Sequence, residues 1–328
     1  MIIPNDTGYP YRLLKYVEYH MSVPPIEPAT ILAYCLKNKV DQESCLWLAW
    51  YNSMCYCSPT ALFLYNNVRE DYKKFWETEK DKLLFVSARR YVKNMDWFIP
   101  LMDQFISKIQ EHGSCYNWIE DLCKYNSEQN YREVYQELIK WQYMGRFSVE
   151  LFTDMLVQMY EKNLIDIPLT SENCKFDFRD GSNVTSGLLN MFYRDEEADE
   201  YDKTHSVSKE LEIELWGMLK EVQSAIKYYH PEQNVGISVI TPKICSWRNL
   251  FKGKRYGGYH HDRQLEQIIH YQTVYPNNPL WNELYDLRKR EFKECLLGEI
   301  GGWKGIRKER TKLWIEKGLT GVEDYGTK

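Results

Sequence analysis

A chain of 328 residues is long enough to bury a sizeable core as one large or two modest domains. Its 44% hydrophobic and 27% charged content are those of a soluble globular protein, no apolar run reaches membrane-spanning length, and MIIPNDTGYPYR at the N-terminus lacks the basic-then-apolar pattern of a signal peptide. The formal net charge of −5 argues against a histone-like coat, so any contact with nucleic acid must be focused by local patches.

The spacing of apolar residues is helical through most of the chain. Asp41 is placed to cap ESCLWLAWYNSM, where Cys45, Leu48 and Ala49 recur on one face. Trp47, Trp50, Tyr51 and Tyr56 within and after it read as core aromatics. Ser58-Pro59 before TALFLYNN is a helix start, with Ser as N-cap and Pro at the first helical position. Phe85–Trp97 holds Arg89, Arg90 and Lys93 beside Tyr91 and Trp97, a solvated helix face or a phosphate contact. Further helices are predicted over Asp96–Gln110, Tyr131–Tyr143, Ser148–Lys162, Ser208–Tyr229, Asp262–Tyr271, Leu280–Lys289 and Ile306–Lys317.

Asp177–Leu189 is a polar turn leading into a helix. Ser182 and Ser186 there are candidate contacts for an anion or an amino acid at the helix start, against the plainer reading of a capped loop. The acidic run from Arg194 to Lys203 reads as an exposed loop, giving helical parts at 1–193 and 207–328 joined through 194–206 in one catalytic unit. VGISVI at Val235–Ile240 is the best strand-like stretch, or an extended connection. With no regular alternation of strand and helix, the class is all-α, with little or no β-sheet.

Pro242–Arg263, PKICSWRNLFKGKRYGGYHHDR, is the most informative segment. It sets six Lys or Arg residues against one acid, Asp262, and interleaves Trp247, Phe251, Tyr256 and Tyr259 with Gly253, Gly257 and Gly258. Cations attract phosphate, aromatics stack on bases, and glycines admit close backbone approach. Nucleic acid is therefore the leading ligand, ahead of a merely basic surface. Near the C-terminus, Gly301, Gly302 and Gly305 accompany Lys304, Arg307, Lys308 and Arg310, either a backbone-binding element or a basic connecting turn. The nine cysteines contain no CxxC pair and read as reduced, largely buried thiols. Walker A, GxGxxG and HExxH patterns are absent, and neither a metal nor a cofactor is expected.

Taken in order, these blocks resemble the phage amino acid:DNA transferases, also called alpha-glutamyl/putrescinyl thymine pyrophosphorylases. The similarity rests on WLAWYNSMCYCSPTALFLY (Trp47–Tyr65), ARRYVKNMDW (Ala88–Trp97), GRFSVELFTDML (Gly145–Leu156), DGSNVTSGL (Asp180–Leu188), CSWRNLFKGKRYGGYHHDRQLEQI (Cys245–Ile268) and GEIGGWKGIRKE, over roughly residues 30 to 310. Where the family pattern reads Arg-Asn-Gly, this chain has Thr185-Ser186-Gly187, so no role of that Arg carries over.

The resemblance implies a compact multi-helix fold related to helix-hairpin-helix DNA glycosylases. It also implies transfer of an amino acid, through its amine, onto the phosphorylated or pyrophosphorylated 5-hydroxymethyl group of uracil in DNA. The partners would be that DNA and a free amino acid of the glycine or glutamate class, with no membrane, in the cytoplasm of an infected bacterial host. On this reading Lys252, Lys254 and Arg255 bind the leaving phosphate. Asp262, then His261, is the candidate base or orienter, and Asp262 is equally a structural partner of Arg263 or a helix cap. Arg89 and Arg90 hold DNA phosphate or the amino acid carboxylate. Tyr256 and Trp47 wall the base, and Lys304, Arg307 and Lys308 hold the DNA backbone. A base-excising glycosylase-like enzyme and a non-catalytic DNA-binding phage protein are the rival readings.

Overall fold

A computed structural model describes residues 8–23, 28–68, 71–84, 97–172, 176–179, 182–293, 296–298 and 307–316. These residues form α1 (Tyr11–Ser22), α2 (Pro28–Asn38), α3 (Gln42–Cys55), α4 (Ser58–Asn67), α5 (Tyr72–Glu79), α6 (Phe98–His112), α7 (Cys115–Leu122) and α8 (Ser127–Leu138). They continue as α9 (Arg146–Glu161), α10 (Ser182–Met191), α11 (Asp195–Thr204), α12 (Lys209–Tyr229), α13 (Ile237–Phe251), α14 (Tyr259–Val274), α15 (Leu280–Glu291) and α16 (Arg307–Glu316). The fold is all-α, and no strand occurs among the described residues. No described helix is long and apolar enough to cross a membrane.

Two compact units share the chain. One comprises residues 1–26, 174–263 and 292–328, and the other residues 27–173 and 264–291. The chain therefore does not divide at the acidic run.

In the second unit, α3 packs on α4, α7 and α9. Polar residues at helix starts take up backbone N–H groups that have no partner within the helix. Asp41 Oδ1 accepts from Ser44 N at 2.8 Å, and Ser114 and Asn126 cap α7 and α8 in the same way. From Ser44 to Cys55 every residue of α3 is buried, as expected of a helix apolar on all sides. Trp50 stacks on Phe105 with centroids 4.2 Å apart. The N-cap of α4 is Cys57 rather than Ser58, which is instead the first helical residue, with Pro59 just inside.

In the first unit, α10 and α1 pack on α13, and α11 packs on α10. Its core runs from Leu13, Tyr16 and Val17 through Leu188, Leu219, Ile240 and Trp247 to Trp314. Gly187 permits the α10–α13 crossing, because a Cβ there would lie 2.7 Å from Ile244 Cγ2.

Two local expectations are corrected. The acidic run is helix α11, not a loop. Asp195, Glu196 and Glu197 occupy its first turn, where the helix dipole favours negative charge, and Ala198 and Tyr201 are buried. The stretch 235–240 enters helix α13 after Gly236. Ile237, Ser238, Ile240 and Thr241 are buried there, and tertiary packing overrides the strand preference of the β-branched Ile237, Ile240 and Thr241.

Candidate functional site

The basic block of the first unit is organised by the end of α13. Lys252 is its C-cap, and Gly253 follows with φ +62°, in the left-handed region that glycine adopts without strain. Gly253 N donates to Leu250 O at 2.7 Å and Lys254 N to Asn249 O at 2.7 Å. This pair of bonds is the Schellman arrangement, and it reverses the chain so that Lys252, Lys254 and Arg255 sit on one short turn. Gly257 then allows a close approach, since a Cβ there would meet Val23 Cγ2 at 2.6 Å.

Lys254 is exposed and Arg255 half-buried. The Arg255 guanidinium lies over the Tyr259 ring, 5.4 Å from its centroid, and 3.5 Å from His260 Nε2. Partial burial holds the Lys254 ammonium below its ordinary value. The cations Arg248, Lys252 and Arg255 push the same way, and Asp202 opposes them. Like charges gathered at one place favour an incoming anion. Lys252 reaches across to Asp199 of α11 at 2.7 Å. Buried Arg248 pairs with Asp202, whose other oxygen accepts from Ser186 Oγ at 2.5 Å.

Asp262 is fully buried in the first turn of α14. Its carboxylate accepts from Tyr256 Oη at 2.5 Å, Leu297 N at 2.7 Å and Gly298 N at 3.0 Å, and Arg310 lies 3.4 Å away. Arg310 also donates to Gly298 O at 2.8 Å. Asp262 thus ties the turn, the 297–298 backbone and α16 together. Burial, then Asp262, raises the Tyr256 phenol above its ordinary value. Neighbouring His261 is fully buried and stacks on Phe292, with centroids 4.1 Å apart.

The expected site residues thus fall into groups. Lys252, Lys254 and Arg255 are together on the turn. Asp262, His261 and Tyr256 lie beneath it in the core, and the Tyr256 ring packs near Tyr259 and Trp314 instead of facing solvent. Ser186 is buried against Asp202. Trp47 belongs to the second unit, packed on Tyr51 and Phe105 with its indole N–H on Glu43 at 2.8 Å. Arg89, Arg90 and Lys304 lie outside the described residues, as do the side chains of Ser182, Arg307 and Lys308.

Sequence reasoning passed over three features. Arg310 was grouped only with its basic neighbours. Lys243 is almost fully buried, with Nζ donating to His20 O at 2.5 Å, and burial pushes its ammonium down to about 7. Asp195, Asp199 and Asp202 recur at helical spacing and meet Arg12, Lys252 and Arg248. That spacing was the available signal.

No protein-family model matches the chain, and neither a curated protein nor a solved structure matches it.

Proposed function

We propose that the turn between α13 and α14 binds a phosphorylated group, and that the protein is a transferase acting on phosphorylated 5-hydroxymethyluracil in DNA. The observation carrying this reading is the assembly of Lys252, Lys254 and Arg255 on one capped turn, with the Lys254 ammonium depressed by partial burial and then by the neighbouring cations. In the reaction, the bond from the exocyclic methylene carbon to the phosphate oxygen breaks, and a bond from that carbon to the amino acid nitrogen forms. The leaving phosphate or pyrophosphate carries away the electron pair, and the three cations stabilise its developing charge. The ammonium of the amino acid loses one proton to a base before or during attack, and the nitrogen lone pair so freed forms the new bond.

Of the two roles open to Asp262, the geometry favours that of a positioning residue. Two backbone N–H groups, a phenol and a guanidinium already occupy its carboxylate. It holds the turn and Arg310 in place, and proton acceptance falls to another group.

The test is nucleoside mass spectrometry after incubation with DNA carrying phosphorylated or pyrophosphorylated 5-hydroxymethyluracil and mixed amino acids. A nucleoside heavier by an amino acid residue supports the transferase. Release of free base replaces it with a glycosylase, and binding without any change in the nucleosides replaces it with a DNA-binding protein.

A further inference from the structure

Helix α11 sets three carboxylates against three cations of its own unit, and the three pairs differ in kind. Arg12 contacts both oxygens of Asp195 at 2.8 Å and donates to Asn190 O at 2.9 Å, with its guanidinium between the rings of Tyr193 and Phe251. Arg248 is 1% exposed, and its partner Asp202 is also held by Ser186. These two pairs are anchored on both sides. The third, Lys252–Asp199, is a single 2.7 Å contact whose side chains are 27% and 59% exposed. Tyr201 secures the helix independently through its hydroxyl on Phe178 O at 2.8 Å, so α11 does not depend on the third pair.

We propose that Asp199 is a built-in competitor for the phosphate site. Its carboxylate occupies Lys252 in the resting protein, and a ligand phosphate displaces it without movement of α11. This rests on the reading of the α13–α14 turn as a phosphate site, and adds that the site is masked by an exchangeable carboxylate. The anchored pairs keep that carboxylate in reach, so its effective concentration is high. An exposed pair nevertheless contributes no more than about fivefold in an equilibrium. A phosphate dianion, which adds the attraction of Lys254 and Arg255, outcompetes it. A weakly held monoanion does not, so the contact selects for highly charged phosphate groups.

The experiment is calorimetric titration of the full chain with inorganic pyrophosphate. Asp199→Asn keeps the side-chain shape and is expected to tighten binding about two- to fivefold. Glu200→Gln removes the same charge from the same helix, where Glu200 pairs with Lys203 at 3.6 Å, and is expected to change binding much less. In a Lys252→Met background the gain from Asp199→Asn should vanish. An equal gain from Glu200→Gln, or a gain that persists without Lys252, overturns the competitor. If Lys252→Met weakens binding while Asp199→Asn leaves it unchanged, the competitor falls and the phosphate site stands. If Lys252→Met and Arg255→Ala both leave pyrophosphate binding unchanged, or wild type binds none, the phosphate site itself falls.

Discussion

Replacing Lys243 with Met should stabilise the protein at neutral pH. The amine lies within the core of the first unit, donates to the His20 carbonyl near the end of α1, and is 7% exposed. Burial lowers its ammonium from 10.5 to about 7. At about 1.4 kcal/mol per pH unit, and with the folded group half protonated at pH 7, burying this lysine costs about 4 kcal/mol at that pH. Met has a similar length, but its loss of the donor leaves the His20 carbonyl unsatisfied, at a cost of about 1–2 kcal/mol. The net expectation is a gain of about 2–3 kcal/mol at pH 7.

The pH dependence distinguishes this cause from improved packing. Between about 7 and 10.5 the unfolded chain binds a proton at Lys243 that the folded chain does not, so wild-type stability gains from this group as pH rises. The variant lacks that contribution, and its advantage should shrink by about 2 kcal/mol from pH 7 to pH 9. Buried thiols such as Cys55 and Cys115, raised by burial, act in the opposite direction above their ordinary range. They are common to both proteins and cancel in the difference. Urea unfolding at pH 7, 8 and 9, followed by tryptophan fluorescence and circular dichroism, measures it. Parallel pH curves for the two proteins, or a variant less stable throughout, would refute the reasoning.

Asp262→Asn should destabilise the fold by about 2–4 kcal/mol, because an amide cannot accept from all four donors that meet the carboxylate; urea unfolding reads this directly. Arg255→Ala should leave the unfolding midpoint nearly unchanged, since its side chain is half-buried over Tyr259, yet slow base modification about a hundredfold through loss of charge on the leaving group. Gly257→Ala should cost about 1–3 kcal/mol by driving a methyl into Val23, whereas Gly253→Ala, with open space but φ +62°, should cost about 1 kcal/mol. Thermal melts of both glycine variants separate crowding from backbone strain.

The helical class and most helix positions are legible in the sequence because they follow from local spacing and capping chemistry. Asp41 before α3 and Ser208 before α12 mark their starts by residue type alone, and both accept the expected backbone N–H. The gathering of Lys252, Lys254 and Arg255 is equally local, set by Gly253 in a turn of a few residues. The tertiary structure alone decided what these groups face. Asp262 meets Leu297, Gly298 and Arg310, 35 to 48 positions away, and so changes from an apparent lone acid among cations into a buried tie. Lys243 looks in sequence like its surface-seeking neighbours, yet it meets His20 at a separation of 223 positions and loses its water. Charge runs read locally as solvated, but α11 has its partners on α1 and around the end of α13. Helical periodicity places Asp195, Asp199 and Asp202 on one face, and packing supplies the cations opposite them.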